Sequence, residues 1–187
     1  MVLCVATAVA SCRESTERDG SPQAAQASAS SAEEQGGAHN ADDVNVARTM
    51  LAIDRQTIQL SSMAPTRTTR SELISLAAQI STEQQARNQA FSAWLLQWGE
   101  DPHAGGGPLY TGRGSIDQAT VGTLQNVHGA AFDMPWLQSM ISLDKAAVEV
   151  GRTQIEHGRN PDQTTLVKTI TTGNRTEIVA MTRMLEE

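Results

Sequence analysis

Hydrophobic residues recur at helical spacing in four long stretches of the chain. In the first stretch, Val44, Ala47, Met50, Leu51 and Ile58 follow one another at intervals of three, four and seven positions. That spacing is typical of the buried face of an amphipathic helix. It predicts long helices over about residues 42–63, 71–98, 133–156 and 161–187, and a short helix over about 117–127.

Residues near the predicted helix ends support these boundaries. Asp42 and Asp43 can cap the first helix, because a carboxylate accepts hydrogen bonds from the free N–H groups of a first turn. We expect Pro135 to open the third long helix, since proline is tolerated in a first turn. Asn160 followed by Pro161 is a strong start signal for the last helix.

The two halves of the helical region are copies of one segment. Residues 46–95 and 136–185 align at a constant offset of 90 without a gap. The matched positions include Met50 with Met140, Leu76 with Leu166 and Ile80 with Ile170. Each copy is one helical hairpin, so the sequence predicts an all-α, ferritin-like four-helix bundle. Its two repeated hairpins are joined by a long crossover that carries the short extra helix.

The residues before the bundle predict export and a lipid anchor. Residues 1–11 carry no charge and end in Val9-Ala10-Ser11, directly before Cys12. A short apolar run, small residues and then cysteine are typical of a bacterial lipoprotein signal peptide, although no basic residue precedes the run. We therefore expect a signal peptide at 1–11, a lipidated Cys12 with a flexible tether at 12–42, and a bundle at 43–187. The predicted location is the extracytoplasmic face of the bacterial cell membrane.

Charge and composition narrow the possible partners. The formal charge is −7, yet residues 12–42 hold two basic and six acidic residues, which leaves 12 basic and 15 acidic residues in the bundle. Because no basic stripe is present, we expect no nucleic-acid partner. The membrane, reached through the lipid anchor, is the expected partner. The sequence defines no protein partner and leaves a homo-oligomer open.

The sequence contains no motif typical of catalysis. Di-iron bundles need Glu-x-x-His on helices, but the string Glu100 to His103 follows Gly99 and contains Pro102. No two of the four histidines lie three or four residues apart, as metal-binding histidines on one helix do. We therefore expect a non-enzymatic protein with no cofactor.

Two repeated charged pairs lie among apolar residues, Asp54-Arg55 and Asp144-Lys145. Charges at such positions must be paired if they are buried. One interpretation is structural ion pairs or a partly solvated helix face. The other is a small polar site at the bundle centre, extended by Glu149 and Glu177.

Methionine is the second candidate group, with Met50, Met63, Met140, Met181 and Met184 in the bundle. Thioethers bind Cu(I), so copper is the alternative cofactor. Methionine also fills irregular cores, and aromatic residues make up only 3% of this chain.

Residues 43–187 resemble a bacterial family of secreted or lipid-anchored bundles, the domain-of-unknown-function family DUF305. The resemblance rests on short motifs spread over both halves. They are Ala47-Arg48-Thr49-Met50, Gln56-x-Ile58, Leu76-Ala77-x-x-Ile80-x-x-x-Gln84, Trp94-Leu95-x-x-Trp98-Gly99, Gly129-Ala130-x-Phe132-Asp133, Trp136-Leu137-x-x-Met140-Ile141 and Thr176-Glu177-Ile178-x-x-Met181. The resemblance implies a ferritin-like fold and, for some members, copper binding through histidine and methionine.

The chain departs from this family at the expected ligands. The resemblance implies a His-His pair three and four positions after each repeated methionine, where this chain has Ile53-Asp54 and Leu143-Asp144. A Glu-Ile-x-x-Met motif expected in the first repeat is Arg87-Asn88-x-x-Phe91. We therefore expect a degenerate metal site. In the alternative, a copper site would use Met50, Asp54, Met140, Asp144 and Met181.

Overall fold

The computed structural model describes residues 38–104 and 111–187. The signal peptide, Cys12 and nearly all of the expected tether lie outside these residues. Helices account for the regular structure of the described ranges, in which no strand occurs. The helices are α1 (Ala41–Ser61), α2 (Ala64–Arg67), α3 (Ser71–Gln97), α4 (Gln118–Asn126), α5 (Ala130–His157) and α6 (Pro161–Glu186). The all-α prediction is confirmed.

The four long helices form two hairpins that pack side by side. Helix α1 packs on α3 in the first hairpin, and α5 packs on α6 in the second. Contacts between α1 and α5 join the hairpins, and the short α4 lies against α5. No helix in the described part of the chain has the length and apolarity to cross a membrane.

Two predicted helix starts are wrong in detail. Asn40, rather than Asp42 or Asp43, caps α1. Its side chain accepts a hydrogen bond from the Asp43 N–H at 3.0 Å, while the Asp43 carboxylate accepts one from the Asn40 N–H at 2.7 Å. This reciprocal arrangement is a capping box. Helix α5 begins at Ala130, so Pro135 lies inside it rather than opening it. Proline has no backbone N–H, so the hydrogen bond to the carbonyl four residues earlier is absent at this position of α5.

The core fills the space between the hairpins. Its largest fully buried side chains include Phe91, Phe132 and Trp136. The Trp136 indole N–H donates to the Leu60 carbonyl at 2.9 Å and so ties α5 to the end of α1. Leu76 and Leu166, matched positions expected inside, are only partly buried at the edge of this core.

Asp43 holds the two hairpins together at one end of the molecule. This fully buried carboxylate accepts hydrogen bonds from the Gln154 side chain at 2.6 Å and from the backbone N–H groups of Arg159 and Asn160. Burial acts to raise the pKa of Asp43, but these hydrogen bonds hold it below its usual range. The turn between α5 and α6 is thereby fixed against the start of α1.

Candidate functional site

The repeated aspartates of α1 and α5 lie inside the bundle. Asp54 and Asp144 are each only 2% exposed, and the charge of Asp54 acts on the carboxyl group of Asp144. Their helices are neighbours, so the repeat brings equivalent positions together, as twofold internal symmetry requires.

Arg87 of α3 and Glu177 of α6 complete this central cluster. The two residues also occupy matched positions of the two repeats, 90 residues apart. The positive charge of Arg87 acts on the carboxyl groups of Asp54, Asp144 and Glu177. Arg87 also donates a hydrogen bond from Nη1 to the Asn174 side-chain oxygen at 3.2 Å. The cluster is therefore symmetric in position but not in charge, since a cation in one repeat faces an acid in the other.

Burial makes the carboxyl groups of the cluster weak acids. It raises the pKa of Asp54 to about 7, with the charge of Arg87 acting in the opposite direction. Burial and the nearby charge of Glu177 together raise the pKa of Asp144 to about 8, against the opposite effect of Arg87. Burial and the charge of Glu83 also raise the pKa of Glu177. Near neutral pH the cluster therefore retains protons that exposed carboxyl groups would release.

The contacts between the acids agree with shared protons. The Asp144 and Glu177 carboxyl groups lie within hydrogen-bonding reach of each other, and Glu177 also reaches Glu83, which is exposed. Two carboxyl groups can form a hydrogen bond only if one of them is protonated. One oxygen of each acid, Asp54 Oδ2, Asp144 Oδ2 and Glu177 Oε2, is buried and receives no hydrogen bond from an N–H or hydroxyl of the described residues. Protonation lowers the cost of burying them.

The cations of the two predicted pairs do not join the cluster. Arg55 is partly buried and donates to the Pro102 carbonyl at 3.3 Å, and Lys145 is exposed. Consecutive residues on a helix point about 100° apart, so an inward aspartate directs the next side chain away. Glu149 also lies outside, with its side chain 63% exposed and 3.6 Å from Arg152.

Sequence reasoning did not assign Arg87 or Asn174 to the site. One signal could have found them. Gln84 and Asn174 are matched polar residues at inward positions, and Arg87 and Glu177 follow them by three residues in each repeat. Gln84 and Asn174 are 1% and 2% exposed, as matched inward positions would be.

The three methionines of the alternative metal site are fully buried. Met50, Met140 and Met181 are each at most 1% exposed and belong to the hydrophobic core. A Cβ added at Gly151 would lie 3.9 Å from the Met50 methyl group, so Met50 packs closely against α5. Within residues 38–104 and 111–187, no three His, Cys, Asp or Glu side chains are arranged to hold a metal ion.

The chain is similar to a known family and to several solved structures. A model of the domain of unknown function DUF305 matches residues 43–185. A DUF305 protein from Streptomyces coelicolor that is predicted to be secreted has 21% identity and a TM-score of 0.72, covering 78% of this chain and 92% of its own. A DUF305 fragment from Deinococcus radiodurans has 22% identity and a TM-score of 0.71, covering 80% and 99%.

A copper-bound protein shares the same fold. CopM in its Cu(II)-bound form has 21% identity and a TM-score of 0.68, covering 77% of this chain and 95% of its own. No curated protein matches this chain in sequence. At these identities the likenesses establish the fold.

Proposed function

The chain belongs to the DUF305 family, and on that basis we propose that it is a non-enzymatic, lipid-anchored protein of the bacterial cell envelope with a degenerate metal site. Its role is binding or structural. The observation that carries this proposal is the guanidinium of Arg87 among the carboxyl groups of Asp54, Asp144 and Glu177. The positive charge among these carboxyl groups therefore comes from a side chain of the protein and not from an exchangeable metal ion.

Electrostatics supports a centre that holds Arg87 in place of a metal ion. Two unit charges 4 Å apart repel by about 4 kcal/mol at an effective dielectric constant of about 20. A metal ion entering the cluster would meet the charge of Arg87 and would also have to displace protons from Asp54 and Asp144. Both effects weaken the binding of a cation at the centre.

The chemistry of the available ligand atoms also supports a degenerate metal site. Where the resemblance implies His-His pairs, Ile53 and Leu143 offer no donor atom and are at most 1% exposed. Asp54 and Asp144 offer hard oxygen atoms, which suit magnesium or calcium better than copper.

The envelope location is part of the proposal. The sequence Val9-Ala10-Ser11-Cys12 and a structural relative predicted to be secreted support it.

A copper-handling protein is the second candidate. It is favoured by the burial of Met50, Met140 and Met181 in one core and by the fold shared with copper-bound CopM. Its site would add Asp54 and Asp144 to these three thioethers.

Copper titration separates the two candidates. The full chain should carry Cys4→Ser and Cys12→Ser, because free thiols bind Cu(I) strongly. We expect this chain to lose Cu(I) to a competing chelator and to show no stoichiometric binding of Cu(II) by calorimetry. Replacing Met50, Met140 and Met181 together by leucine should then leave the binding of copper unchanged.

A restored site provides the positive control. Histidine at positions 53, 54, 143 and 144, combined with Arg87→Glu, should raise copper affinity by orders of magnitude in the same cysteine-free chain. Tight, stoichiometric binding by the chain without restored histidines, lost on the triple methionine replacement, would refute the degenerate site and establish the copper-handling candidate.

A further inference from the structure

A cavity of about 550 Å³ opens on the second hairpin, and Asp54, Arg87, Asp144 and Glu177 are not among the residues that line it. Its volume lies within the range of roughly 300–1,000 Å³ that is usual for small-molecule sites. Helices α5 and α6 form its floor, and the end of the crossover forms one wall. The apolar part of the floor consists of Ala146, Val148, Val150 and Ile178.

The crossover wall is fixed to the bundle by specific contacts. Gly114 has a φ of +85°, and a Cβ at this position would lie 2.8 Å from the Ser142 carbonyl oxygen. The Ser142 hydroxyl donates to the Gly114 carbonyl at 3.1 Å. Two residues later, the buried Gln56 side chain donates to the Ile116 carbonyl at 2.6 Å and accepts from its N–H at 3.1 Å. The cavity is therefore bounded by a wall whose backbone is held in place.

The rim of the cavity is positively charged on an otherwise acidic protein. Lys145 and Arg175 both line it and are exposed, and in the described part of the chain neither is ion-paired. Arg113 also lines the rim. Among the described residues that line the cavity, Glu149 is the one acid, and it lies 3.6 Å from Arg152, which offsets its charge. The formal charge of the whole chain is −7, so the positive charge at this rim is opposite in sign to the net charge of the protein.

We propose that this cavity binds a small amphiphilic anion, in which a carboxylate or phosphate head is attached to an aliphatic chain. The head lies at Lys145 and Arg175, whose N–H groups supply charge-assisted hydrogen bonds. The aliphatic chain lies on the apolar floor, where burial of each methylene strengthens binding by up to about fourfold. Neither part requires the central cluster, so this site is independent of copper binding.

Calorimetric titration of the full chain with decanoate, decyl phosphate, hexanoate and decanol tests the proposal. We expect saturable one-to-one binding of decanoate or decyl phosphate, and the tighter of the two identifies the preferred head. Hexanoate should bind at least about tenfold more weakly than decanoate, because it loses four methylene contacts. Decanol should bind about tenfold more weakly because it lacks the charge.

Matched double variants locate the site. Lys145→Ala with Arg175→Ala should weaken decanoate binding by about tenfold or more. Lys168→Ala with Arg183→Ala removes the same charge from exposed positions of α6 outside the cavity and should leave binding unchanged. Ile178→Asn should weaken decanoate more than it weakens hexanoate.

Three results would overturn the proposal. They are an absence of saturable binding of either ten-carbon anion, equal losses in the two double variants, and decanol binding as tight as that of decanoate. All the replaced cations are exposed, so circular dichroism should find the variants folded.

Discussion

Replacing Asp144 by asparagine should stabilise the protein at neutral pH and have little effect in acid. The folded protein raises the pKa of Asp144 from 3.8 to about 8, chiefly by burial. In the unfolded chain this carboxyl group is exposed and ionises near its ordinary pKa. Between these two pKa values the folded state holds a proton that the unfolded state has released, so the stability of the wild-type protein falls as pH rises.

The size of the effect follows from that interval. Each pKa unit corresponds to about 1.4 kcal/mol, so the part of the shift that lies between 3.8 and pH 7 would destabilise the wild-type protein by about 4 kcal/mol. Relaxation of the cluster and its coupling to Glu177 reduce this figure, and we expect Asp144→Asn to gain about 2 kcal/mol at pH 7.5. At pH 4.5 the gain should be under about 1 kcal/mol, because this pH lies only slightly above the ordinary pKa of 3.8, so little of the interval between the two pKa values has been crossed. Asparagine keeps the size of the side chain and can donate to Glu177.

Urea unfolding followed by circular dichroism, at pH 4.5 and 7.5, measures both values. Asp162→Asn is the matched control, because Asp162 is exposed on the first turn of α6 and should leave the pH dependence unchanged. The wild-type protein should also lose stability between pH 5 and 8, since burial raises the pKa of Asp54 to about 7 as well. An Asp144→Asn variant that gains equally at both pH values, or loses stability at pH 7.5, would refute the reasoning.

Two further predictions follow from the structure, and a third follows from the sequence. Arg87→Met removes the cation that lowers the pKa of the central acids, and should reduce the free energy of unfolding by about 3 kcal/mol at pH 7.5. The reduction should be smaller at pH 5, where these acids are protonated. Equal reductions at the two pH values, measured by urea unfolding, would contradict the electrostatic role of Arg87. Asp43→Asn disrupts hydrogen bonds from Gln154 and Asn160 and should cost about 2 kcal/mol at pH 7. Because the folded protein lowers the pKa of Asp43, this loss of stability should shrink as pH falls towards 3. A loss of stability that does not depend on pH would contradict the role of the Asp43 carboxylate in joining the two hairpins. Cys12→Ala should release the protein from the membrane fraction or leave it unprocessed, and unchanged fractionation and mass would rule out the lipid anchor.

The sequence was enough to predict the four long helices and the short α4, but not the four-residue helix α2. The repeat of residues 46–95 at an offset of 90 predicted two hairpins, and the spacing of apolar residues located the long helices that the structure contains. Both are local signals, because the period of 3.6 residues determines which side chains share a face. Helix starts were less accurate. The predicted start of α5 was wrong because Pro135 is typical of a first helical turn, whereas in the structure it is the sixth residue of α5.

Only the tertiary structure decided which charges meet at the centre. The sequence pointed to Asp54 and Asp144, but it suggested their chain neighbours as partners. The structure gives them Arg87, which is 33 residues from Asp54 and lies on another helix. Periodicity shows which face of a helix is buried, but the rotation and depth at which two helices pack determine the partners on that face. The same holds for the cavity beside Lys145 and Arg175, whose wall depends on the crossover returning to α5 at Gly114.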